Sequence, residues 1–174
     1  MLKSALLYET QLKEKYIGIM HNPEYQYYFG NFGTQCIELS NNTYDCHEFV
    51  SVDECGNVLG FIRYDISVFS NSCQNFGLIS FEFGNLTVIR DLYRAIHDIF
   101  FKYNFNRIEW LCFADNPHIR GYRNFIKRFG GRECGYLRQS NRLMDGQLHD
   151  AVLFEILKED YIGGAGSKYL GCNK

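Results

Sequence analysis

The chain has 174 residues, of which 46% are hydrophobic and 17% aromatic. This length suits one domain with a substantial core, and this composition excludes a disordered chain. The formal net charge is −2, from 18 Lys and Arg against 20 Asp and Glu. The sequence therefore predicts no nucleic-acid partner and no membrane-surface partner. No apolar run approaches the ~20 residues that a membrane helix needs.

The cysteines and histidines indicate no disulfide framework and no metal site. The seven cysteines are odd in number, and no two have the CxxC spacing. The apolar run in the first ten residues is too short for a signal peptide, and charged residues follow it too soon. Both observations predict free thiols in a cytoplasmic protein. The five histidines form no HxxxH or HExxH pattern, so no metal ligand set is expected.

The N-terminal third predicts a helix followed by an aromatic segment. Apolar residues recur at helical spacing from about Tyr8 to Met20, and Pro23 lies just beyond the end of this pattern. The segment Tyr25–Gly33 is rich in tyrosine and punctuated by glycine. Two interpretations stay open for this segment: ordinary core packing, which is the usual role of aromatic clusters, and one wall of a substrate site.

A β region follows. The runs His47–Val52 and Val58–Val68 flank a short turn that contains glycine, and they predict an antiparallel hairpin. The polar loop Ser70–Asn75 leads to a third strand, Phe76–Phe83. Three consecutive strands of this kind predict an antiparallel meander.

The next stretch predicts a helix, a strand and a second helix. Thr87 is the predicted N-cap of the first helix, which Asn104 ends. The strand Arg107–Ala114 follows, and the second helix begins near Pro117 and stops at Gly130. Two strands joined by one helix predict a parallel pair. A helix that starts directly after a strand offers its free amides to an anion such as a phosphate.

A second hairpin closes the domain. The runs Cys134–Leu143 and Leu148–Lys158 flank the turn signal Asp145-Gly146. Both faces of the second run are apolar, so a strand buried on both sides is expected. The glycine-rich end predicts a flexible tail over 162–174, which leaves a single domain over 1–161.

In this order and spacing, the segments resemble those of the GNAT superfamily, the acetyl-CoA-dependent N-acetyltransferases. Asn75–Gly84 resembles the family's central strand, Asn85–Tyr103 its pyrophosphate loop and helix, and Asn116–Gly131 its helix that begins with Asn and ends in Gly. The resemblance covers roughly His47 to Tyr161. It implies an α+β fold of three layers, whose central mixed sheet of about seven strands has a parallel pair at its centre.

The resemblance implies transfer of an acetyl group from acetyl-CoA to a primary amine of a small molecule or peptide. Acetyl-CoA would be the co-substrate and the amine the second partner. No metal is expected, and the resemblance is compatible with a homodimer. The residues expected to contact the cofactor run from the end of the central strand to the start of the first helix and continue at the start of the second helix: Phe81, Phe83, Gly84, Asn85, Leu86, Thr87, Val88, Asn116, Arg120 and Arg123.

Acyl transfer to an amine needs a base for the ammonium proton and a proton for the leaving thiolate. Glu82 is the first candidate for the base, because burial between Phe81 and Phe83 would raise its pKa. Asp115 is the alternative, since it ends the next strand at the edge where ligands bind. Tyr122 is the candidate acid, because it is the phenol nearest to the position at which the family often places a tyrosine.

The sequence departs from the family at the pyrophosphate signature, Arg/Gln-x-x-Gly-x-Gly/Ala. Thr87 and Ile89 stand at its two small positions. Two alternatives therefore stay open: a catalytically weak or silent GNAT-like domain that binds acyl-CoA or a protein partner, and an interaction module with no CoA site. Cys112 is expected to be a buried, inert thiol, because no base is placed beside it.

Overall fold

The structure is a computed structural model, which describes residues 1–31 and 37–166. The strands are β1 (Leu2–Ser4), β2 (Cys46–Val52), β3 (Val58–Ser67), β4 (Ser72–Ser80), β5 (Arg107–Phe113), β6 (Arg132–Arg142) and β7 (Leu148–Leu157). The helices are α1 (Glu9–Ile19), α2 (Leu86–Phe101), α3 (Ile119–Phe129) and α4 (Lys158–Gly163), with 3-10 segments at Ala5–Tyr8 and Pro23–Asn31.

These strands form one mixed sheet of seven strands in the order β1-β2-β3-β4-β5-β7-β6. All neighbours are antiparallel except β4 and β5, which are parallel and lie near the centre. The predicted mixed sheet with a central parallel pair is confirmed. Strand β1 was not predicted, because three residues carry too little alternation to indicate a strand.

Strand β4 lies earlier in the chain than predicted. It spans Ser72–Ser80 rather than 76–83, and its first residues pair with the end of β3. The polar side chains of 72–75 hid this part of the strand. The strand therefore ends before Phe81, Glu82 and Phe83, which lie in the turn after β4. The prediction that the strand includes these three residues is wrong.

The cap of α2 also differs from the prediction. Asn85, not Thr87, is the N-cap: its backbone is extended, and its Oδ1 accepts hydrogen bonds from the N–H groups of Thr87 at 2.9 Å and Val88 at 3.4 Å. An Asn amide oxygen satisfies orphan amides as well as a hydroxyl does. The helix ends at Phe101, three residues before Asn104, which adopts a left-handed φ of 60°.

The C-terminal helix α4 packs against the end of α3. Gly130 caps α3 with a φ of 85°, and the buried ring of Tyr161 stacks on Phe129 with centroids 5.3 Å apart. Residues 162 and 163 therefore belong to a helix, and not to a flexible tail as predicted. The rest of that predicted tail from residue 167 lies outside the described residues.

The core occupies both faces of the sheet. The larger cluster joins α2, α3 and α4 to strands β3, β4, β5 and β7. The smaller cluster packs α1 and the preceding 3-10 segment on β2 and β3. Adjacent residues Phe61 and Ile62 of β3 serve opposite faces, as the pleat of a strand requires. Within the described residues, the longest helix has 16 residues, and no helix is long and apolar enough to cross a membrane.

Candidate active site

The two parallel strands separate soon after they meet. Along their described lengths, β4 and β5 pair only at Ser72 with Arg107 and at Cys73 with Ile108. Beyond these pairs, residues of both strands line a cavity of about 350 Å³. This volume falls in the range of small-molecule sites. The gap between the two central strands is therefore a ligand-sized opening in the middle of the sheet.

The cavity is mainly apolar and has a small number of polar groups. Ile89, Leu92 and Tyr93 of α2 form one wall, and Tyr122 and Phe125 of α3 form another. The apolar side of α2 therefore lines the cavity and also packs in the core. A site of this kind suits a flexible, largely apolar ligand arm that needs few oriented hydrogen bonds.

Trp110 of β5 contributes a buried donor to the cavity. Its ring stacks on Phe154 with centroids 5.4 Å apart and is only 6% exposed. Among the described residues, its indole Nε1 has no hydrogen-bond partner. A buried N–H without a partner is costly. No pattern in the sequence indicates this role, because a strand tryptophan usually only packs.

The aromatic segment divides between the two interpretations that the sequence left open. Tyr25 is buried and stacks on Phe83 at 4.8 Å, which is core packing. Tyr27 and Tyr28 line the cavity, which is the role of a substrate wall. Burial, followed by Tyr25 and Cys112, raises the pKa of Tyr28 to about 12, so its phenol stays protonated at neutral pH. The part of this segment from residue 32 lies outside the described residues.

Asn116, Cys112 and Tyr122 meet where β5 gives way to α3. Asn116 is 3% exposed, and its Oδ1 accepts a hydrogen bond from the His118 N–H at 2.8 Å. Burial raises the pKa of Cys112 to about 12, against a weaker opposing effect of a hydrogen bond with Asn116. The interpretation of Cys112 as a buried thiol is confirmed, and this pKa makes it a poor nucleophile.

Tyr122 lines the cavity as a half-buried phenol. Burial raises its pKa, and the nearby Cys112 and Tyr28 raise it further. A phenol with a raised pKa keeps its proton at neutral pH and can donate a hydrogen bond to an anion that forms in the cavity. The structure thus places this predicted residue in the cavity wall.

Asp115 has a partner that the sequence did not reveal. Its Oδ2 lies 2.5 Å from Nδ1 of His149, whose Nε2 lies 3.0 Å from Asp145 Oδ2. Strands β5 and β7 pair with Phe113 opposite Ala151, and two more steps of this register bring Asp115 opposite His149. The hydrogen bond with Asp145, and then the one with Asp115, raises the pKa of His149 against the effect of burial.

This group borders the aromatic wall. The ring of Tyr27 meets the His149 ring edge-on with centroids 6.3 Å apart. Asp115 and Asp145 are both partly exposed, with side-chain exposures of 51% and 38%. Two partly accessible carboxylates, both bonded to His149, therefore lie near Tyr27, which lines the cavity.

Glu82 lies apart from the cavity. It is exposed in the turn between β4 and α2, and its Oε2 accepts a hydrogen bond from Asn85 Nδ2 at 2.8 Å. The burial on which its choice as the base rested is absent, so that premise is wrong. Its neighbours Phe81 and Phe83 are half-buried and exposed. Of the two predicted bases, Asp115 is the one next to a cavity-lining residue, Asn116.

The predicted phosphate-binding groups are mostly engaged within the protein. The N–H groups of Thr87 and Val88 are bonded to the Asn85 side chain, and the N–H of Ile89 is bonded to the Asn85 carbonyl oxygen at 3.2 Å. The expectation that these amides are free is therefore wrong. Gly84 supplies a turn with a φ of 74°, and Leu86 begins the helix as an exposed residue.

The two predicted arginines differ. Arg123 Nε donates to Glu133 Oε1 at 2.8 Å, and one of its terminal nitrogens donates to the Tyr136 hydroxyl at 3.0 Å. Arg120 is exposed in the first turn of α3. Of these two arginines, Arg123 therefore has an ion pair, and Arg120 has none within the described part of the chain.

Solved structures similar in fold to this chain include acetyltransferases. A spermidine N-acetyltransferase from Vibrio cholerae, in complex with CoA and spermine, matches with a TM-score of 0.68 at 18% identity, over 93% of this chain and 97% of that chain. A chimera of this enzyme with hSSAT matches with a TM-score of 0.64 at 19% identity, over 93% and 98%. Mutant forms of the Vibrio cholerae enzyme match with a TM-score of 0.63 at 19% identity, over 94% and 97%.

No protein-family model matches the chain, and no curated protein matches it. The likeness therefore lies in the three-dimensional arrangement and not in a shared sequence signature. These neighbours cover nearly the whole chain and match its fold. The resemblance found in the sequence is confirmed at the level of structure: the chain has the fold of the GNAT N-acetyltransferases.

Proposed function

We propose that this chain is an N-acetyltransferase that moves an acetyl group from acetyl-CoA to a primary amine. The opening between β4 and β5 is the observation that carries the proposal, because its cavity of about 350 Å³ is lined by both strands. The similarity in fold to N-acetyltransferases, one of them in complex with CoA, supports it. The thioester arm of acetyl-CoA would occupy the cavity.

The amine acceptor would approach from the side of Tyr27 and Asp115. The accessible carboxylates of Asp115 and Asp145 would attract an ammonium group. A polyamine is a reasonable acceptor to test first, because a structural neighbour was solved with spermine. A lysine side chain or a monoamine has the same reacting nitrogen as a polyamine, so both are acceptors to test as well.

The reaction is direct attack within a ternary complex. The neutral amine nitrogen attacks the thioester carbonyl carbon, a C–N bond forms, the C–S bond breaks, and sulfur leaves with the electron pair as a thiolate. Asp115, directly or through water, takes one proton from the ammonium group to give the neutral amine, and the attacking nitrogen releases its second proton to water as the amide forms. Tyr122 donates a hydrogen bond to the thiolate, which takes its proton from Tyr122 or from solvent.

Acetyl transfer tests the proposal directly. Release of CoA thiol from acetyl-CoA would be followed with spermidine, spermine, a lysine peptide and a monoamine, with acetylated product identified by mass. The variant Leu78→Trp is the control, because Leu78 lines the cavity and an indole there would fill it. We expect amine-dependent thiol release in the wild type and its loss in Leu78→Trp. No amine-dependent release from any acceptor would contradict the proposal.

A second candidate function has one observation in its favour. The amides after β4 are bonded to Asn85, and the small residues of the family's phosphate signature are replaced. A GNAT-like domain that binds an acyl donor or a protein partner without turnover would tolerate both changes. Binding of acetyl-CoA without transfer to any amine would select this candidate.

A further inference from the structure

We propose that this chain recognises its acyl donor through the pantetheine thioester arm, and that the nucleotide diphosphate of CoA adds little to binding. The inference rests on the proposed function and names the donor chemistry of the same site. Acetyl-CoA and acetyl-pantetheine share the arm and differ in the adenosine phosphate portion. The donor class is therefore an acyl thioester of pantetheine, with or without a nucleotide.

The first part of the argument is the place at which a donor would leave the cavity. Ile89 lies in the first turn of α2, is 41% exposed and lines the cavity. A donor whose arm fills the cavity and emerges at Ile89 would bring its diphosphate to the N-terminus of α2. Helix N-termini bind phosphates through free amides and the positive end of the dipole.

Three of the amides at this N-terminus already have partners. Asn85 Oδ1 accepts hydrogen bonds from both Thr87 and Val88, and the Asn85 carbonyl oxygen accepts one from Ile89. A diphosphate would first have to displace the Asn85 side chain, and the bond gained would replace a bond lost. The net contribution of such an exchange is small, as for any hydrogen bond exchanged for another.

One negative charge at this turn also opposes a diphosphate. The carboxylate of Glu82 is exposed beside the cap and is bonded to Asn85 Nδ2 at 2.8 Å. A carboxylate at a helix N-terminus takes the place that an anionic ligand would otherwise occupy. Arg123, which could offset this charge from α3, is paired with Glu133. The turn thus holds its own anion and its own cap.

The cavity, in contrast, is built to hold the arm. Pantetheine is a flexible chain with two amide groups, and its carbonyl oxygens need donors once they are removed from water. Trp110 lines the cavity, and its buried indole N–H has no partner among the described residues. One oriented donor within apolar walls matches one carbonyl on a mainly apolar chain.

Calorimetry with acetyl-CoA and with S-acetylpantetheine tests this assignment. For the wild type, we expect the two dissociation constants to lie within about tenfold of each other, a difference of at most about 1.4 kcal/mol. A larger preference for acetyl-CoA would overturn the inference and leave the proposed function intact. Binding of neither ligand would overturn both.

A double variant tests the cause. Asn85→Gly with Glu82→Gln frees the amides of Thr87 and Val88 and removes the negative charge, and glycine is a tolerated N-cap that costs only a few tenths of a kcal/mol relative to Asn. We expect acetyl-CoA to bind at least about tenfold more tightly, with no change for S-acetylpantetheine. Unchanged acetyl-CoA affinity in a folded double variant would overturn the inference.

Asn42→Gly is the matched control for the double variant. Asn42 also bonds a backbone amide through its side chain, that of Tyr44 at 3.0 Å, and it does not line the cavity. The affinity of Asn42→Gly for acetyl-CoA and for S-acetylpantetheine should equal that of the wild type. Thermal unfolding of each variant establishes that it is folded before the titration.

Discussion

Asp115 and His149 lie 34 positions apart in the chain, and their side chains meet at 2.5 Å beside the cavity. His149 also contacts Asp145, so one imidazole joins the end of β5 to the turn of the β6–β7 hairpin. A protonated imidazole between two carboxylates fixes the position of both. The positions of Asp115 and Asp145 therefore depend on the charge of His149.

This contact predicts a pH-dependent contribution to stability. Asp145 and then Asp115 raise the pKa of His149, so the ion pairs stabilise the fold fully below the ordinary histidine pKa of about 6.5. That contribution is lost as the pH rises through the raised folded-state pKa. His149→Asn should therefore lower the Tm most at acidic pH, and the difference from the wild type should shrink at alkaline pH.

Thermal unfolding between about pH 5.5 and pH 9 measures this difference, over the range in which histidine changes charge. His21→Asn is the control, because His21 is exposed, and its Tm difference should not follow this trend. A Tm difference for His149→Asn that is constant with pH, or that grows as the pH rises, would contradict the prediction.

The second prediction compares the two carboxylates that could serve as the base. Removal of a general base typically costs ~10²–10⁴-fold in rate. We expect Asp115→Asn to lower kcat by about this factor while acetyl-CoA affinity stays within about twofold, because the carboxylate would act on the acceptor. Steady-state kinetics and calorimetry on Asp115→Asn and Glu82→Gln give the comparison. A larger loss of kcat in Glu82→Gln would move the role to Glu82.

The third prediction concerns Tyr122. The substitution Tyr122→Phe keeps the ring, which packs near Phe154 with centroids 6.2 Å apart, and removes only the hydroxyl. We expect kcat to fall by about 10²-fold, at the lower end of the range for proton donors, with little change in Tm. Tyr93→Phe is the matched control, because Tyr93 also lines the cavity but is not assigned a proton. Equal kcat in the wild type and Tyr122→Phe would show that solvent supplies the proton.

The fourth prediction concerns Trp110. Replacing it with phenylalanine keeps an aromatic ring against Phe154 and removes the indole N–H. If this N–H bonds a carbonyl of the arm, the dissociation constants of acetyl-CoA and S-acetylpantetheine should rise by the same factor, about tenfold. Calorimetry measures both constants. A rise for acetyl-CoA alone would place the lost bond outside the shared arm.

The fifth prediction tests the packing of α4 on α3. Gly130 and Gly56 both have a φ of 85°, but a Cβ on Gly130 would lie 2.7 Å from the Asp160 carbonyl oxygen, whereas one on Gly56 would meet nothing within 4 Å. Gly56→Ala should therefore cost only the left-handed backbone, about 1–2 kcal/mol. Gly130→Ala should cost more than Gly56→Ala in the free energy of unfolding, which urea denaturation measures. Equal losses would contradict the packing of α4.

Local sequence patterns carried much of the fold. The β2–β3 hairpin and helices α2 and α3 fall close to their predicted bounds, because alternation, helical spacing and glycine stops are local signals. The start of β4 was missed because its polar residues are held by pairing with β3, which is a tertiary effect. Helix α4 was missed because it has 6 residues, fewer than two turns.

The site was harder to predict than the fold. Asn116 and Tyr122 lie in the cavity wall, and their roles toward a cofactor stay predictions. The partner of Asp115 depends on how β5 and β7 align, and no spacing along the chain shows that alignment. The state of the amides at α2 depends on which way the Asn85 side chain turns. Such features follow from the register of strands and from side-chain choices.

The early separation of β4 and β5 has a mechanical consequence. Strands β1–β4 and strands β5–β7 form two plates that are joined at the sheet by two residue pairs near one end. A donor arm between the plates would act as a substitute strand and clamp them together. Binding would then slow amide hydrogen exchange across both plates, far beyond the residues that touch the ligand.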